Sequence, residues 1–545
     1  MSYQPIKEQE SFSNSDLLDA SLSDARYNDH EDRYNNFPKN PKILLLEPFY
    51  PPESAWGSLK VEQGYLPPLG LIAIYQWLQS KDYDVHFLDT QFNDFDLEGL
   101  TRFLKDNQFN VVGLPTFTPT AGYVFETAKL VRTALPNAII VFGGTHATDR
   151  SVETLLESPE CDFIIRREGE FTMVELIEAL KAGCTDFSHV EGLTWRKSPE
   201  TTLMNPDRAL IPDLDDLPMG LFGDMDLSRY VPHPSQYVTL PNYPIFTQRG
   251  CPYPCTFCEA ATTLGKQLRV FSPKRVIEEL KILKYEKGAK GIYFQDSTFT
   301  MHRKYVTEIF ELMIKEKLND LLWSCNTRTD TVDPDLLALM YEAGCRIVFY
   351  GIESGNQESL NVLKKNITVE KQELAVEWTH KAKMNIMCSY ILALPGETEE
   401  MIQNTINYAK RLGSSMALFY LPVPFPGSDL YKACKDTDGL RETKNWNDYL
   451  SIDFENPVYI NPLIGKERMQ YWYKRAYLDY YTHPKVWYNS LKGLFRYGGF
   501  NRYARGINAV RALVLNNAWA FIKQAKILKK LGKVPPFNAR PFLGS

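Results

Sequence analysis

The sequence predicts an α/β chain in three parts: an N-terminal doubly wound parallel domain, a partial (β/α)6 barrel and a helical C-terminal region. Three observations predict it. Short strand-like runs alternate with helical stretches twice, first from Lys42 and again from Tyr243. The runs of the first series are apolar on both faces, as strands covered on both sides must be. Each run of the second series is followed by polar or Gly/Pro-rich residues, at the strand ends where a (β/α) barrel collects its functional groups. The 545 residues suffice for about three domains. A content of 44% hydrophobic and 23% charged residues is ordinary for a globular protein.

Residues 1–40 are polar, acidic on balance and poor in apolar side chains, which predicts a disordered arm. Residues 41–183 read as the doubly wound domain. Its strands are expected at Ile43–Leu46, Val85–Leu88, Val111–Leu114, Ala138–Phe142 and Phe163–Ile165, with helices between them such as Leu69–Leu78, Leu97–Phe103 and Tyr123–Leu135. Five βα units in alternation argue for a parallel sheet covered by helices. Residues 184–236 hold several prolines and mixed polarity, and read as a small β extension and linker.

The second alternation occupies residues 237–440. Strands are expected at Pro244–Gln248, Gly291–Phe294, Leu322–Cys325, Ile347–Tyr350, Ile386–Ala393 and Met416–Leu421. Helices fall at Pro273–Glu286, Tyr305–Glu316, Pro334–Glu342, Gln372–Lys383 and Glu399–Leu412. Six units are too few to close an eight-fold barrel, so a partial one is predicted. Asp296 and Thr398 each stand where they could cap the following helix.

Residues 441–545 are helical in pattern, basic and aromatic. Between Gly465 and Lys533 there are 15 Lys/Arg against two acids, Glu467 and Asp479, although the whole chain carries −6. Tyr471, Trp472, Tyr473, Tyr477, Tyr480, Tyr481, Trp487 and Tyr488 lie in the same stretch. One reading is a helical cap over the barrel with solvated cationic tips. A second is peripheral contact with anionic lipid, and a third is a site for an anionic substrate. Nucleic acid is not expected, since no recognition motif occurs and the pI is near 5.9. No apolar run approaches the roughly 20 residues needed to span a bilayer. Nine cysteines without a secretory leader pattern predict a reducing, cytoplasmic setting, with membrane association as the alternative.

The richest chemistry lies in Arg249-Gly250-Cys251-Pro252-Tyr253-Pro254-Cys255-Thr256-Phe257-Cys258. Three thiolates within eight residues can grip one soft metal centre. They are one short of a closed zinc site or a saturated cubane iron–sulfur cluster, and the open position suits catalysis. Pro252 and Pro254 resist helix, so the loop can wrap a bulky centre. The bland alternative is structural zinc with a distant fourth ligand, but His233 lies well upstream and no paired C-x-x-C follows. A disulfide would close a strained loop.

This constellation resembles the radical S-adenosylmethionine (SAM) superfamily. The resemblance rests on the C-x3-C-x2-C motif with Phe257 before its last cysteine, on Gly351-Ile352-Glu353-Ser354-Gly355, and on Leu394-Pro395-Gly396-Glu397-Thr398. Ala393 replaces the first glycine usual before that last loop. The resemblance implies a [4Fe–4S] cluster on Cys251, Cys255 and Cys258. It implies SAM near Phe257, Asp296, Arg328, Glu353 and Pro395, cleaved reductively to a 5′-deoxyadenosyl radical.

The domain order is similar to that of the cobalamin-dependent branch, which includes methyltransferases and the anaerobic porphyrin-ring cyclases. Leu66–Gly70, Gly113–Thr118, Gly143–Thr148 and Arg167–Glu170 match that branch. All but the first lie at strand ends, where an open α/β sheet binds its ligand. The resemblance implies a cobalamin contacted by Pro68, Gly70, Thr116, Thr118, Gly143, Gly144, His146 and Gly169. The histidine-ligand motif D-x-H-x-x-G is broken: Asp84-Val85-His86 is followed by Asp89 where glycine belongs, and His86 is expected to pack within its strand. Cobalamin is thus expected without a histidine ligand.

The expected function is methylation of an unactivated carbon on a small-molecule or lipid substrate, with flavodoxin or ferredoxin as one-electron donor. Cyclisation or rearrangement with the same cofactors is the alternative, and a non-catalytic metal-binding module is a third.

Overall fold

The computed structural model describes residues 33–51, 64–92, 96–198, 201–220, 222–435, 438–441, 443 and 445–497. Expectations for the arm before residue 33 and for the chain beyond residue 497 lie outside the described residues.

The first five strands form the expected parallel sheet. Strands β1 (Lys42–Glu47), β2 (Asp84–Asp89), β3 (Val111–Pro115), β4 (Ile139–Gly143) and β5 (Phe163–Ile165) pair in parallel as β2-β1-β3-β4-β5. A hairpin, β6 (Leu193–Ser198) and β7 (Thr201–Met204), adds two antiparallel strands beside β5. The β extension is therefore an edge of the same sheet.

Alternate side chains go to opposite faces of a strand. Leu44, Leu46, Val112, Leu114, Ile140 and Phe142 meet Leu100 and Leu104 of α2 (Leu97–Asn107), and Val124 and Val131 of α3 (Ala121–Ala134). Ile43, Leu45, Val111, Ile139 and Val141 meet Leu71 and Leu78 of α1 (Leu69–Gln79). On that face they also meet Met173, Leu176 and Ile177 of α6 (Glu170–Lys181), while Ala147 of the short helix α4 (Thr145–Asp149) and Leu155 of α5 (Ser151–Glu157) join the opposite face. Helices thus cover both faces, which is why the strands read as unbroken apolar runs.

Two expectations need correction here. Residues 33–40 are not part of a loose arm: Tyr34 is buried against Phe163 and Phe187, with ring centroids 5.5 and 5.2 Å away. One aromatic anchor outweighs the polar composition around it. His86 is not embedded either; its side chain is 42% exposed and its Nε2 lies 2.9 Å from Asp84 Oδ1.

The second sheet is the partial barrel. Strands β8 (Asn242–Ile245), β11 (Gly291–Phe294), β12 (Leu322–Thr327), β13 (Cys345–Glu353), β14 (Asn385–Ile391) and β15 (Met416–Tyr420) pair in parallel in that spatial order. Helices α7 (Pro273–Lys281), α8 (Arg303–Lys315), α9 (Pro334–Glu342), α10 (Val369–Lys381) and α11 (Glu399–Leu412) lie between them. Asp333 and Thr398 cap α9 and α11 through Leu336 N and Met401 N. Asp296 caps nothing downstream.

The first barrel strand ends at Ile245, three residues earlier than expected. Thr247 N and Gln248 N both donate to Asp296 Oδ1, at 2.8 and 2.9 Å, which takes them out of the ladder. Gln248–Arg249 then forms β9, antiparallel to β10 (Arg269–Val270), and the pair closes the cysteine loop at its base.

The described part of the C-terminal region packs on the barrel, along its edge. Helix α12 (Lys466–Tyr481) lies along β15, the open edge of the barrel, with Tyr473, Tyr477 and Tyr480 buried. Tyr477 Oη donates to Phe419 O (3.1 Å) and accepts from Phe419 N (3.2 Å). Tyr481 Oη does the same with Ala417 O (2.8 Å) and Ala417 N (3.2 Å). Tyr480 Oη donates to Ser414 O at 2.6 Å. Phenol hydroxyls satisfy backbone groups that a seventh strand would otherwise pair. Helix α13 (Pro484–Tyr497) follows.

Candidate functional site

The cysteine loop leaves the barrel at Gly250, where φ is +94° and an added Cβ would stand 2.1 Å from Gln267 O. Only glycine fits that approach. Cys251 N then donates to Gly265 O at 3.0 Å, and Cys258 N to Cys255 O at 3.2 Å. Thr256 anchors the middle: its N–H donates to Leu363 O (3.0 Å) and its carbonyl accepts from Leu430 N (2.7 Å). All three cysteines are free thiols; Cys251 and Cys255 are half-buried and Cys258 is exposed. Phe257 packs on Leu363, Ile391 and Leu394, and points the loop at the ends of β13 and β14.

Arg328, just past the end of β12, reaches this loop. Its guanidinium lies 3.6 Å over the Tyr253 ring, and its Nη1 is 3.7 Å from Cys255 Sγ. Asp330 grips the other side through two 2.9 Å bonds, and Nη2 donates to Lys365 O at 2.7 Å.

Glu353 ends β13 with φ at +67°, an unusual conformation for a side-chain-bearing residue. Lys365 Nζ lies 2.9 Å from its Oε1 and Ser389 Oγ donates to its Oε2 at 3.3 Å, all buried. Lys365 also stands 5.8 Å from the centre of the Phe257 ring. Asp296 is fully buried and is occupied by Thr247 and Gln248, including a 2.9 Å bond from Thr247 Oγ1. Burial pushes its carboxyl up to about 7. Pro395 sits in a turn tied by Glu397, which accepts from Leu394 N (3.0 Å) and Ser359 Oγ (2.6 Å). Burial raises Glu397 to about 6.

A cavity of about 610 Å³ opens between the two sheets. From the first sheet it is lined by Pro68, Gly70, Gly143, Gly144 and Gly169. From the barrel side Phe246, Gln248, Arg249 and Gln295 line it. Gly144 has φ +103°, and an added Cβ there would meet Thr116 O at 2.8 Å. Thr116, Thr118 and His146 stand behind this lining. His146 is buried with Nδ1 3.2 Å from Thr118 Oγ1 and its ring 4.6 Å from that of Trp446. Burial lowers it to about 3, so the ring is neutral.

Three groups that the sequence did not single out as site residues belong here. Arg249 Nη1 and Nη2 reach Glu168 Oε1 (3.0 Å) and Glu170 Oε1 (2.6 Å) across the domain boundary, and Arg269 Nη1 meets Glu168 Oε2 at 2.7 Å. Glu168, Glu170 and Arg249 lie within stretches that were recognised, yet only the fold shows the opposite charges facing each other. Glu47 and Asp89, paired in register at the ends of β1 and β2, also line the cavity. Burial and Asp89 hold Glu47 well above the ordinary carboxyl range, and its Oε2 has no hydrogen-bond partner. Glu259, next to Cys258, shares a hydrogen bond with Asp149 of the first domain; burial raises the two to about 8 and about 6, so the pair holds a proton near neutrality.

The donor chemistry fits the cofactors that the sequence implies. Three thiols with a cation behind them suit an iron–sulfur cluster. Among the described residues, no three His, Cys, Asp or Glu side chains converge on a single metal ion. The cavity has apolar walls, an open face at Gly70, where an added Cβ would touch nothing within 4 Å, and unpartnered buried acceptors on Glu47, Gln248 and Gln295. Such a cavity suits a large, amide-rimmed ligand.

The profile of the radical SAM superfamily matches residues 245–409 and that of the B12-binding domain matches residues 59–177. A protein of Pyrococcus horikoshii named as an uncharacterized methyltransferase is 32% identical over 468 residues, covering 86% of this chain and 98% of its own. The anaerobic magnesium-protoporphyrin IX monomethyl ester cyclase of Rubrivivax gelatinosus is 27% identical, covering 78% of this chain and 74% of its own. Among solved structures, the radical SAM methyltransferase TsrM of Kitasatospora setae, with cobalamin and a [4Fe–4S] cluster bound, superposes with a TM-score of 0.66 at 18% identity. The match covers 88% of this chain and 99% of that one, a likeness of fold.

Proposed function

The chain belongs to the cobalamin-binding radical SAM enzymes, and from that membership we propose a methyltransferase acting on an unactivated carbon of a small molecule. Its cofactors are a [4Fe–4S] cluster, SAM and cobalamin. When bound, they supply a 5′-deoxyadenosyl radical through one-electron cleavage of SAM, and a methyl group carried on cobalt.

The protein's part is to hold these groups in reach of one substrate. Cys251, Cys255 and Cys258 are the thiolate ligands in this reading, with Arg328 offsetting their negative charge. Glu353, oriented by Lys365 and Ser389, offers a carboxylate to the SAM ammonium. Phe257 and the Pro395 turn shape the wall beside it. Asp296 acts from behind, fixing the end of the first barrel strand. Pro68, Gly70, Gly143, Gly144 and Gly169 face the cobalamin; Thr116, Thr118 and His146 support that surface from the second layer. An electron donor of the flavodoxin or ferredoxin class supplies the reducing equivalent.

The observation that carries methyl transfer is the cavity walled jointly by the Gly143-Gly144 loop and the barrel residues Gln248, Arg249 and Gln295. A ligand in it touches both domains, and so lies against the barrel that carries the cysteine loop. The test is anaerobic reconstitution with iron, sulfide and hydroxocobalamin, followed by reduction and mass spectrometry of SAM products. Bound cobalamin with both 5′-deoxyadenosine and S-adenosylhomocysteine supports methyl transfer. Deoxyadenosine with cobalamin but no S-adenosylhomocysteine, once a turned-over substrate is in hand, favours cyclisation. Similarity to the cyclases keeps that second reading alive, and product mass separates the two, since methylation adds a CH2 unit.

A further inference from the structure

One surface of helix α13 lies apart from all three proposed cofactor sites. Helix α13 docks by one side. Val486 is buried, Ser490 Oγ donates to Ser415 O at 3.1 Å, and Lys485 and Asn489 donate to the carbonyls of Arg411 and Gly413. The opposite side presents Trp487, Tyr488 and Leu491 at 49, 64 and 48% exposure, with Lys492 beside them. These positions, spaced i, i+1, i+4 and i+5, fall on one helical stripe. Trp487 Nε1 donates to Tyr481 O at 2.7 Å, which orients the indole, and Lys492 Nζ stands 5.9 Å from the Tyr488 ring. Every other helix of the described residues exposes at most one large apolar side chain.

Charge is segregated along the chain as well. From Tyr481 to Ser545 the sequence has 12 Lys/Arg and no Asp or Glu. The preceding 480 residues hold the other 49 of the 61 Lys/Arg against all 67 Asp/Glu. Helix α13 itself carries Lys485, Lys492 and Arg496 and no acid, on a chain that is net negative. Lys and Arg are drawn to an anionic leaflet, and Trp and Tyr favour the lipid–water boundary. A nucleic acid backbone would match the cations but offers Leu491 no apolar contact.

We infer that the outer face of α13 is a peripheral binding surface for an anionic lipid bilayer. It requires no change in the cofactor sites and holds whether the enzyme methylates or cyclises. The test uses the full-length reconstituted protein and vesicles of phosphatidylcholine alone or with about one-third phosphatidylglycerol. The protein is expected to sediment with the anionic vesicles, to stay in solution with the neutral ones, and to be released by high salt. The triple variant Tyr488→Ser, Leu491→Ser, Lys492→Glu is expected to bind at least about ten-fold more weakly. Its cluster absorbance and melting temperature should match the parent, because all three side chains face solvent. Equal binding to both vesicle types, binding to neither, unchanged binding by a folded triple variant, or preferential capture by duplex DNA in competition would each overturn the assignment.

Discussion

Ala393 shows how a departure from a family pattern acquires a physical cost. The resemblance placed it where a glycine is usual, and its φ is +65°. A side chain in that region costs about 1–2 kcal/mol. Ala393→Gly is expected to raise stability by up to about 1 kcal/mol, after the entropy of a freer unfolded chain is subtracted, measurable by chemical denaturation. Asp296 makes a pH prediction. A carboxyl held at about 7 in the fold, against an ordinary 3.8, favours folding when protonated. That contribution is full below about pH 4 and is lost as pH rises through about 7. Asp296→Asn keeps an acceptor for Thr247 N and Gln248 N without titrating, so its melting temperature should depend less on pH between about 5 and 8. Asp296→Ala strands two buried N–H groups and should cost about 1–3 kcal/mol. Cys255→Ala should remove the cluster's broad absorbance near roughly 400 nm; retention of colour and SAM cleavage would defeat the cysteine assignment. Residue types at strand ends made Glu353 and Arg328 legible in the sequence. Lys365 was not, because a lysine in a charged stretch reads as solvated, and only the fold turns it onto Glu353.

At the scale of elements, both parallel sheets could be read because strands covered on both faces leave unbroken apolar runs separated by amphipathic helices. Boundaries moved where a side chain intervened, as Asp296 does at the end of β8. The aromatics of α12 were the harder case. Composition placed Tyr477, Tyr480 and Tyr481 in a basic–aromatic stretch that could cap the barrel or face a ligand or lipid, and only the fold shows them buried against β15. No local signal says that a tyrosine hydroxyl will finish a sheet. Tyr477→Phe and Tyr481→Phe each leave one N–H and one C=O of the edge strand unpaired, and each is expected to cost about 1–3 kcal/mol. Urea denaturation measures that loss, with cluster content checked to confirm that the barrel mouth is intact.

Across the whole molecule, one link between the two halves is ionic. Arg249 bridges Glu168 and Glu170 beside the cysteine loop, and Arg269 shares Glu168. Truncating one member of a buried pair strands its partner at about 3–5 kcal/mol. Arg249→Met should therefore lower cobalamin retention on gel filtration while leaving the three cysteines in place; unchanged retention would show that the domains are held by their apolar contacts alone. The order of parts was legible because each domain carries its own motifs, but the register between them was not, since it depends on side chains 79 and 81 residues apart in sequence. The tyrosines along β15 also have a consequence in time. Tyr420 ends the sixth barrel strand and Tyr481 ends the helix that covers it, so about sixty residues must be translated in between. At roughly 5–20 residues per second that is about 3–12 seconds. Throughout that interval a nascent chain still on the ribosome presents a bare strand edge to its neighbours. Slower elongation or a stop codon before Tyr477 is expected to turn that interval into aggregation.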